Sequence, residues 1–153
     1  MRPVSASIAI AASPDRVFAV ATDLAGAADR VRGIDELEVL TEGPFGLGTR
    51  WRETRTMMGA QATETMTVTA LEPGRSYTTV AESHGCRYTS DLSVAPEGDG
   101  ARATFAIRGE PTSLRSRVVL ALMTPLNGLL ARQVRKAFEE DLADLRAAAE
   151  REA

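Results

Sequence analysis

The sequence contains a single cysteine and a single histidine, and their scarcity excludes several classes of function. Cys86 alone cannot form an internal disulfide or a thiolate metal site, and a lone thiol suits a reducing cytoplasm. His84 is the only histidine that a catalytic triad could use, and zinc would need carboxylates and Cys86 to complete its coordination. We therefore predict no metal, no other cofactor and a cytoplasmic location. In the turn-like stretch ESHGCRY, His84 is either a solvated turn residue or a general base at a cavity mouth.

An excess of basic charge and a long apolar run are also missing. The formal net charge is -3, with residues of both signs, which argues against binding to DNA or RNA. The most apolar segment, residues 118–131, contains Pro125 and Gly128 and is shorter than the roughly 20 residues of a membrane-spanning helix, so we predict a buried helix there. The first residues do not form a convincing leader peptide. With no repeats or linkers, residues 1–153 are expected to form one domain.

The residues that are present indicate first a strand and then two short helices. Residues 4–10 alternate between apolar and small polar side chains, as in a strand that is buried on one face. Ser13 is expected to cap a helix that has Pro14 at its first position. A second short helix is expected to follow Thr22 or Asp23, with one of these two residues as its cap.

The rest of the chain predicts an antiparallel meander followed by a long helix. From Ile34 onward, clusters of glycine and polar residues separate about six strands that are joined by short connections. After Pro111, Thr112 or Ser113 can cap a helix that continues close to the C-terminus, with Pro125 kinking or splitting it. Its apolar residues recur almost every fourth position. They are Leu126, Leu130, Val134, Phe138, Leu142, Leu145 and Ala149.

The glycine-rich stretch FGLGTRWRET, residues 45–54, could suggest a phosphate-binding loop. It lacks the third glycine and following helix of a dinucleotide-binding loop, and it lacks the Gly-Lys-Ser/Thr of a P-loop. Gly46 and Gly48 lie between two predicted strands, where glycine permits a turn or a bulge. We therefore interpret the stretch as the entry to a strand.

Two strands place charged residues among apolar ones on their inward faces. In the third strand the inward residues are Thr49, Trp51, Glu53, Arg55 and Met57, and in the fourth they are Glu64, Met66, Val68 and Ala70. One interpretation puts the charged groups at a solvated rim, where Arg55 and Glu64 form a cross-strand pair. In the other, Glu53, Arg55 and Glu64 orient the polar end of an apolar ligand.

This order of elements resembles the helix-grip fold of the START-like superfamily, also called SRPBCC, which includes the major birch pollen allergen. The resemblance covers nearly the whole chain and rests on SPDRVFAVATDL, GLGTRWRET, VTALEPGRSYTT and LSVAPEGDGARATFAI. It is greatest to small bacterial proteins of the polyketide cyclase/dehydrase type. The resemblance implies an α+β fold, with a curved antiparallel sheet of six or seven strands wrapped around the C-terminal helix. It also implies a cavity for apolar ligands between the sheet and the helix.

The resemblance implies binding of a hydrophobic small molecule, such as a lipid, a polyketide or another aromatic, by a monomer or a homodimer. The alternative is a cyclase- or dehydrase-like enzyme, in which Glu53, Arg55, Glu64 and Tyr88 would converge with His84. A chaperone-interaction or toxin–antitoxin role is a third possibility. Tyr77 and Tyr88 either donate phenolic hydrogen bonds in the cavity or are core aromatics. The candidate cavity residues are Trp51, Glu53, Arg55, Met57, Glu64, Met66, Tyr77, Tyr88, Leu122, Leu126 and Leu129.

Overall fold

The computed structural model describes residues 3–57, 59–83, 85–122 and 127–151, in which the chain forms seven strands and four helices. The strands are β1 (Val4–Ile10), β2 (Ile34–Val39), β3 (Arg50–Met57), β4 (Ala60–Glu72), β5 (Ser76–Ser83), β6 (Cys86–Glu97) and β7 (Gly100–Pro111). The helices are α1 (Pro14–Ala21), α2 (Ala27–Arg30), α3 (Leu114–Leu122) and α4 (Asn127–Arg151).

All seven strands belong to one curved antiparallel sheet with the order β1-β7-β6-β5-β4-β3-β2. Strands β2 to β7 form a meander, in which each strand pairs with the next, and β1 pairs with β7. The short helices α1 and α2 connect β1 to β2, which are the two edges of the sheet. The predicted α+β helix-grip architecture is therefore confirmed.

The C-terminal half of α4 closes the core. Leu142, Leu145 and Ala149 are buried against the sheet and α1, in one cluster with Val17 and Leu92. These helix residues belong to the apolar stripe seen in the sequence, and their burial is the main packing contribution of α4. In the described residues, the predicted long helix forms two helices, α3 and α4. Pro125 and Leu126 lie between them, outside the described residues.

The helix caps follow the sequence signals in two cases and depart from them in one. Ser13 Oγ accepts a hydrogen bond of 3.2 Å from the Arg16 amide, and Ser113 Oγ accepts one of 3.1 Å from the Ser116 amide. The cap expected at Thr22 or Asp23 is wrong, because α2 begins only after Gly26. Thr22 Oγ1 instead donates to the Phe18 carbonyl at the end of α1, at 2.9 Å. Asp23 accepts from the Gly26 amide at 3.3 Å, so its carboxylate stabilises the turn before α2.

The strand that follows the glycine-rich stretch begins as expected. Gly48 has a φ of +83°, which favours glycine, and its amide donates to the Val68 carbonyl at 2.9 Å. The stretch therefore forms a turn that leads into β3. In β4 the predicted alternation holds up to Val68 and is then shifted by a bulge between Val68 and Ala70. The inward prediction for Ala70 is thus wrong: Ala70 is exposed, and Leu71 packs against the core.

Candidate functional site

The inward face of β3 carries a buried carboxylate with a hydrogen bond to each of its oxygens. Trp51 Nε1 donates to Glu53 Oε1 at 2.9 Å, and Arg55 Nε donates to Glu53 Oε2 at 2.6 Å. Trp51 and Glu53 are both buried, while Arg55 is partly exposed. A buried carboxylate is costly unless it is paired and hydrogen-bonded, and these two donors meet that requirement. The inward prediction for Trp51, Glu53 and Arg55 is confirmed.

The guanidinium of Arg55 also reaches across to the C-terminal helix. Its Nη1 lies 3.1 Å from Asp141 Oδ1, and its Nη2 lies 2.9 Å from Asp141 Oδ2. This bidentate arrangement joins β3 to α4. Sequence reasoning missed Asp141, although a weak signal exists: it follows Phe138 by three positions and precedes Leu145 by four. A carboxylate at such a position lies beside the apolar stripe of the helix.

The segment between α2 and β2 is attached to the same part of α4. Arg32 donates to Asp144 through its backbone amide at 3.0 Å and through Nε at 2.9 Å. Next to it, a Cβ on Gly33 would lie 3.1 Å from Arg55 Nη1, which is tighter than an ordinary contact. Two acidic residues of α4 therefore hold an arginine from β3 and an arginine from this segment.

Two carboxylates share the single guanidinium of Arg55, and this imbalance is visible in the pKa values. Burial raises the pKa of Asp141, and the neighbouring Glu53 and Asp144 act in the same direction, against the effect of Arg55. Burial alone would lower the pKa of Arg55, but Asp141 and Glu53 outweigh it and raise that pKa. Arg55 is therefore a permanent cation that is occupied by two carboxylates.

The cross-strand pair between Arg55 and Glu64, expected for a solvated rim, is wrong. In the register of β3 and β4, Arg55 lies opposite Ala62, and Glu64 lies opposite Glu53. Arg55 turns instead toward Glu53 and Asp141, as the contacts above show. Glu64 is half-buried on the inward face of β4, next to Met66 in the same alternation.

The inward face of the sheet is covered at one end and only partly covered at the other. At the packed end, Val68, Leu92, Val94 and Ala103 are fully covered. At the other end, which we call the open end, Ala81, Cys86 and Gly109 are still buried, but six inward residues are only half-buried: Glu64, Met66, Tyr88, Ser90, Phe105 and Ile107. The stripe of α4 shows a gradient, from buried Ala149 through half-buried Phe138 to exposed Leu130. The interior between sheet and helix is therefore incompletely filled at the open end.

The open end combines an aromatic wall with a small number of polar groups. The rings of Phe105 and Phe138 lie with their centroids 4.7 Å apart, one on β7 and one on α4. Burial raises the pKa of Tyr88, and nearby Cys86 and Glu64 raise it further. The Tyr88 phenol is thus neutral at physiological pH; it shares a hydrogen bond with the Cys86 side chain and interacts electrostatically with the Glu64 carboxylate.

Tyr77 lies at the packed end rather than at the open end. Its ring is buried and makes edge contacts with Phe45 at 5.0 Å and with Phe18 at 6.3 Å between ring centroids. Burial, followed by the charge of Glu53, raises the pKa of its phenol. Of the two alternatives for Tyr77, these contacts correspond to a core aromatic.

The helix residues chosen from the sequence do not lie in a closed interior. Leu122 is 77% exposed and Leu129 is 48% exposed, so the expectation of a buried helix over residues 118–131 is wrong for the part described. An apolar run indicates that a helix has apolar surface, but the run contains no information on whether another element covers it. Leu126, His84 and the side chain of Met57 lie outside the described residues.

Two polar depressions lie on the surface near this region. One of about 180 Å³ exposes the Arg55–Asp141 pair beside Gly33 and Lys136. The other, of about 600 Å³, lies between α1, α2 and the end of α4 and is lined by Arg16, Arg30, Arg151, Asp23 and Asp29.

Within the described ranges, no three His, Cys, Asp or Glu side chains are grouped so that they could hold a metal ion. No described helix is long and apolar enough to cross a membrane.

Comparison with known proteins gives one family match and many similar folds. Residues 1–150 match the family model described as polyketide cyclase / dehydrase and lipid transport. No curated protein sequence matches the chain. The structure of TTHA0849 from Thermus thermophilus has a TM-score of 0.81 and 22% identity over 99% of both chains. A START superfamily protein from Mycobacterium smegmatis has a TM-score of 0.77 and 14% identity over 99% of both chains.

The Zhui aromatase/cyclase from Streptomyces sp. R1128 is similar as well, with a TM-score of 0.74 and 19% identity. The match covers 98% of this chain and 94% of that one. At such identities the solved structures show a shared fold, and they agree with the helix-grip topology described above.

Proposed function

This chain belongs to the polyketide cyclase/dehydrase and lipid-transport family, and we propose that it binds a hydrophobic small molecule at the open end, between the sheet and α4. A lipid, a polyketide or another aromatic compound would suit the site. The observation that carries the proposal is the group of half-buried inward residues at the open end. Apolar and aromatic residues complete the core at the packed end, whereas Met66, Tyr88, Phe105 and Ile107 at the open end are only half-buried. Ligand pockets are mostly apolar, with a few placed polar groups, and the open end has this composition.

Glu64 and Tyr88 are the polar groups that we assign to the ligand. A neutral phenol donates to a carbonyl or ether oxygen, and a carboxylate accepts from a hydroxyl or amine group. The preferred ligand therefore has an apolar body and a polar end that both donates and accepts hydrogen bonds. Glu53 and Arg55, by contrast, already satisfy each other and Asp141, so we assign them a structural role.

The second candidate function is a cyclase- or dehydrase-like reaction, and the electrostatic interaction of Tyr88 with Glu64, both on the inward face at the open end, favours it. In such a reaction Glu64 would accept a proton from a carbon next to a carbonyl, while the Tyr88 phenol would stabilise the resulting enolate. Binding is the stronger proposal, because Glu53 and Arg55 are committed to their own network. A monomeric or dimeric state and a cytoplasmic location stay predictions.

A pair of serine substitutions tests the binding proposal. Ser90 lies on the inward face at the open end, and Ser93 lies three positions away on the outer face of the same strand. Ser90→Phe fills the proposed site, so we expect at least ten-fold weaker binding of a fluorescent fatty acid and of a polycyclic aromatic. Ser93→Phe is the matched control and should bind like the unaltered protein.

Emission from Trp51, the only tryptophan, supplies the readout, since Trp51 is the register partner of Met66 at the open end. Equal ligand affinity of the Ser90→Phe and Ser93→Phe variants would show that the ligand does not bind at the open end. Failure of the unaltered protein to bind any member of a broad apolar library would contradict the proposed function itself.

A further inference from the structure

Basic charge is concentrated in one segment of this acidic chain. Residues 111–138 contain Arg115, Arg117, Arg132, Arg135 and Lys136 and no Asp or Glu. The other residues hold thirteen of the eighteen basic residues and all twenty-one acidic ones. All five of these cations are exposed. The segment covers α3 and the first three turns of α4, so a chain of net charge -3 presents a region of charge +5.

The same segment exposes large apolar side chains. Leu114, Val118 and Leu122 follow one another at intervals of four, share one face of α3, and are 77%, 51% and 77% exposed. Val119, Leu129 and Leu130 are also exposed. Six of the nine exposed large apolar residues in the described part of the chain therefore lie here. We call this combination of side chains on α3 and early α4 the basic-apolar surface.

Helix α3 is attached through its polar side, which leaves the apolar face uncovered. The amide and hydroxyl of Thr112 both donate to the Gly85 carbonyl, at 2.9 and 2.8 Å. Ser116, one turn into α3, approaches the same glycine so closely that a Cβ there would meet its hydroxyl. Val118 lies on the opposite side of the helix from Ser116, because two residues correspond to about 200° of rotation.

The two helices can present their exposed residues to one partner. Five peptide units join Leu122 to Asn127, so the end of α3 and the start of α4 are at most about 18 Å apart. This separation is within the footprint of a single protein or of a membrane surface.

The mixture of charges and leucines distinguishes among the possible partners. A nucleic acid would neutralise the cations but would leave the leucines without apolar contacts. A second copy of this chain would bring one region of charge +5 against another, which is unfavourable. An anionic bilayer offers phosphates to the arginines and its acyl boundary to the leucines. We infer that the basic-apolar surface docks the protein on an anionic membrane surface, without spanning it.

Vesicle binding by the whole chain tests this inference. The probes are vesicles of phosphatidylcholine with about one third phosphatidylglycerol, and vesicles of phosphatidylcholine alone. We expect binding to the anionic vesicles that weakens in high salt, since exposed charges are screened. Arg115→Gln/Arg117→Gln should lower the partition coefficient about 30-fold, from about five-fold for each basic residue near an anionic surface. Arg50→Gln/Arg75→Gln, which removes two exposed cations elsewhere, should leave it unchanged.

The apolar contribution has its own matched pair of variants. Leu114→Ser/Leu122→Ser should weaken vesicle binding at least ten-fold, while Leu47→Ser, at an exposed leucine in the loop before β3, should not weaken it. The inference is overturned if the protein binds both kinds of vesicle equally or binds neither. It is also overturned if the control variants lose as much vesicle binding as the variants of the basic-apolar surface.

Two further outcomes would overturn the inference by identifying another role for the leucines. A dimer that the Leu114→Ser/Leu122→Ser variant dissociates, with no vesicle binding, would make the surface a homodimer interface. Loss of fatty-acid binding in solution with unchanged vesicle binding would assign the leucines to the ligand site. Fatty-acid binding measured in solution through Trp51 stays independent of vesicles, so failure of membrane docking and failure of the proposed function can be told apart.

Discussion

Arg55 on β3 and Asp141 on α4 meet through two nitrogen–oxygen contacts of 3.1 and 2.9 Å, although they lie 86 positions apart in the chain. The same guanidinium forms an ion pair with Glu53 at 2.6 Å. One cation therefore joins the third strand to the helix and offsets part of the negative charge of two carboxylates. We therefore propose that Arg55 acts as a structural link between β3 and α4 rather than as a ligand-binding group.

The first prediction follows from this link. Arg55→Met leaves Glu53 and Asp141 without their cation in a largely buried site, so the free energy of unfolding should fall by about 3 to 5 kcal/mol. Arg52→Met is the control, because Arg52 forms an exposed pair with Glu38 on the outer face of the same strand. Its removal should cost less than about 1 kcal/mol in urea denaturation. Similar small effects of both substitutions would contradict a structural role for Arg55.

The second prediction concerns the pH dependence of stability. Because the pKa of Asp141 is raised above its ordinary value of 3.8, the folded state binds more protons than the unfolded state in that window. Asp141 therefore contributes stability that is greatest below pH 3.8 and is lost as the pH rises through the folded-state pKa. The stability of the unaltered protein minus that of Asp141→Asn should increase on acidification from pH 7 toward that value.

Glu97 offers a control with the opposite sign. Its hydrogen bond from Arg102 lowers the pKa of this exposed carboxyl. The contribution of Glu97 is therefore present above its unfolded-state pKa and is lost as the pH falls through the folded-state pKa. The stability of the unaltered protein minus that of Glu97→Gln should therefore decrease on acidification. Denaturation curves that show the same trend for both variants would contradict the assignment for Asp141.

The third prediction separates the two tyrosines. Tyr88→Phe removes the phenolic hydroxyl at the open end. It should weaken the binding of carbonyl-bearing ligands by about 0.5 to 1.5 kcal/mol, the net contribution of a hydrogen bond, and leave the binding of hydrocarbon probes unchanged. Tyr77→Phe should leave ligand affinity unchanged, since the Tyr77 ring packs in the core against Phe45. Titrations monitored by Trp51 emission provide the comparison. Equal losses of affinity for carbonyl-bearing and hydrocarbon ligands in the Tyr88→Phe variant would exclude the proposed hydrogen bond.

The fourth prediction tests the role of the C-terminal helix. Truncation after Gly128 removes Leu142, Leu145 and Ala149, which complete the core, so cooperative unfolding should be lost. A chain that ends at Arg151 retains all of α4 and serves as the control. Cooperative melting of the shorter chain, with a native-like near-ultraviolet signal, would contradict the packing role of α4.

The sequence predicted the fold well, because its periodic patterns are local. Alternation identified the strands, and the four-residue stripe identified the helix that covers them. The tie between Arg55 and Asp141 could not be found in this way, since it depends on which distant elements come together. The bulge that exposes Ala70 is also invisible in an alternating run. Similarly, the pattern around Leu122 and Leu129 indicates apolar surface but contains no information about what covers it.

The most direct test of the proposed binding site is a nuclear Overhauser measurement on protein with labelled methionine methyl groups and a bound fatty acid. Met66 lies at the open end, opposite Trp51 and in the same strand as Glu64. We predict intermolecular Overhauser effects between the acyl chain and the Met66 methyl group, and their loss in the Ser90→Phe variant. Saturable binding of the fatty acid without any such effect at Met66 would contradict the account.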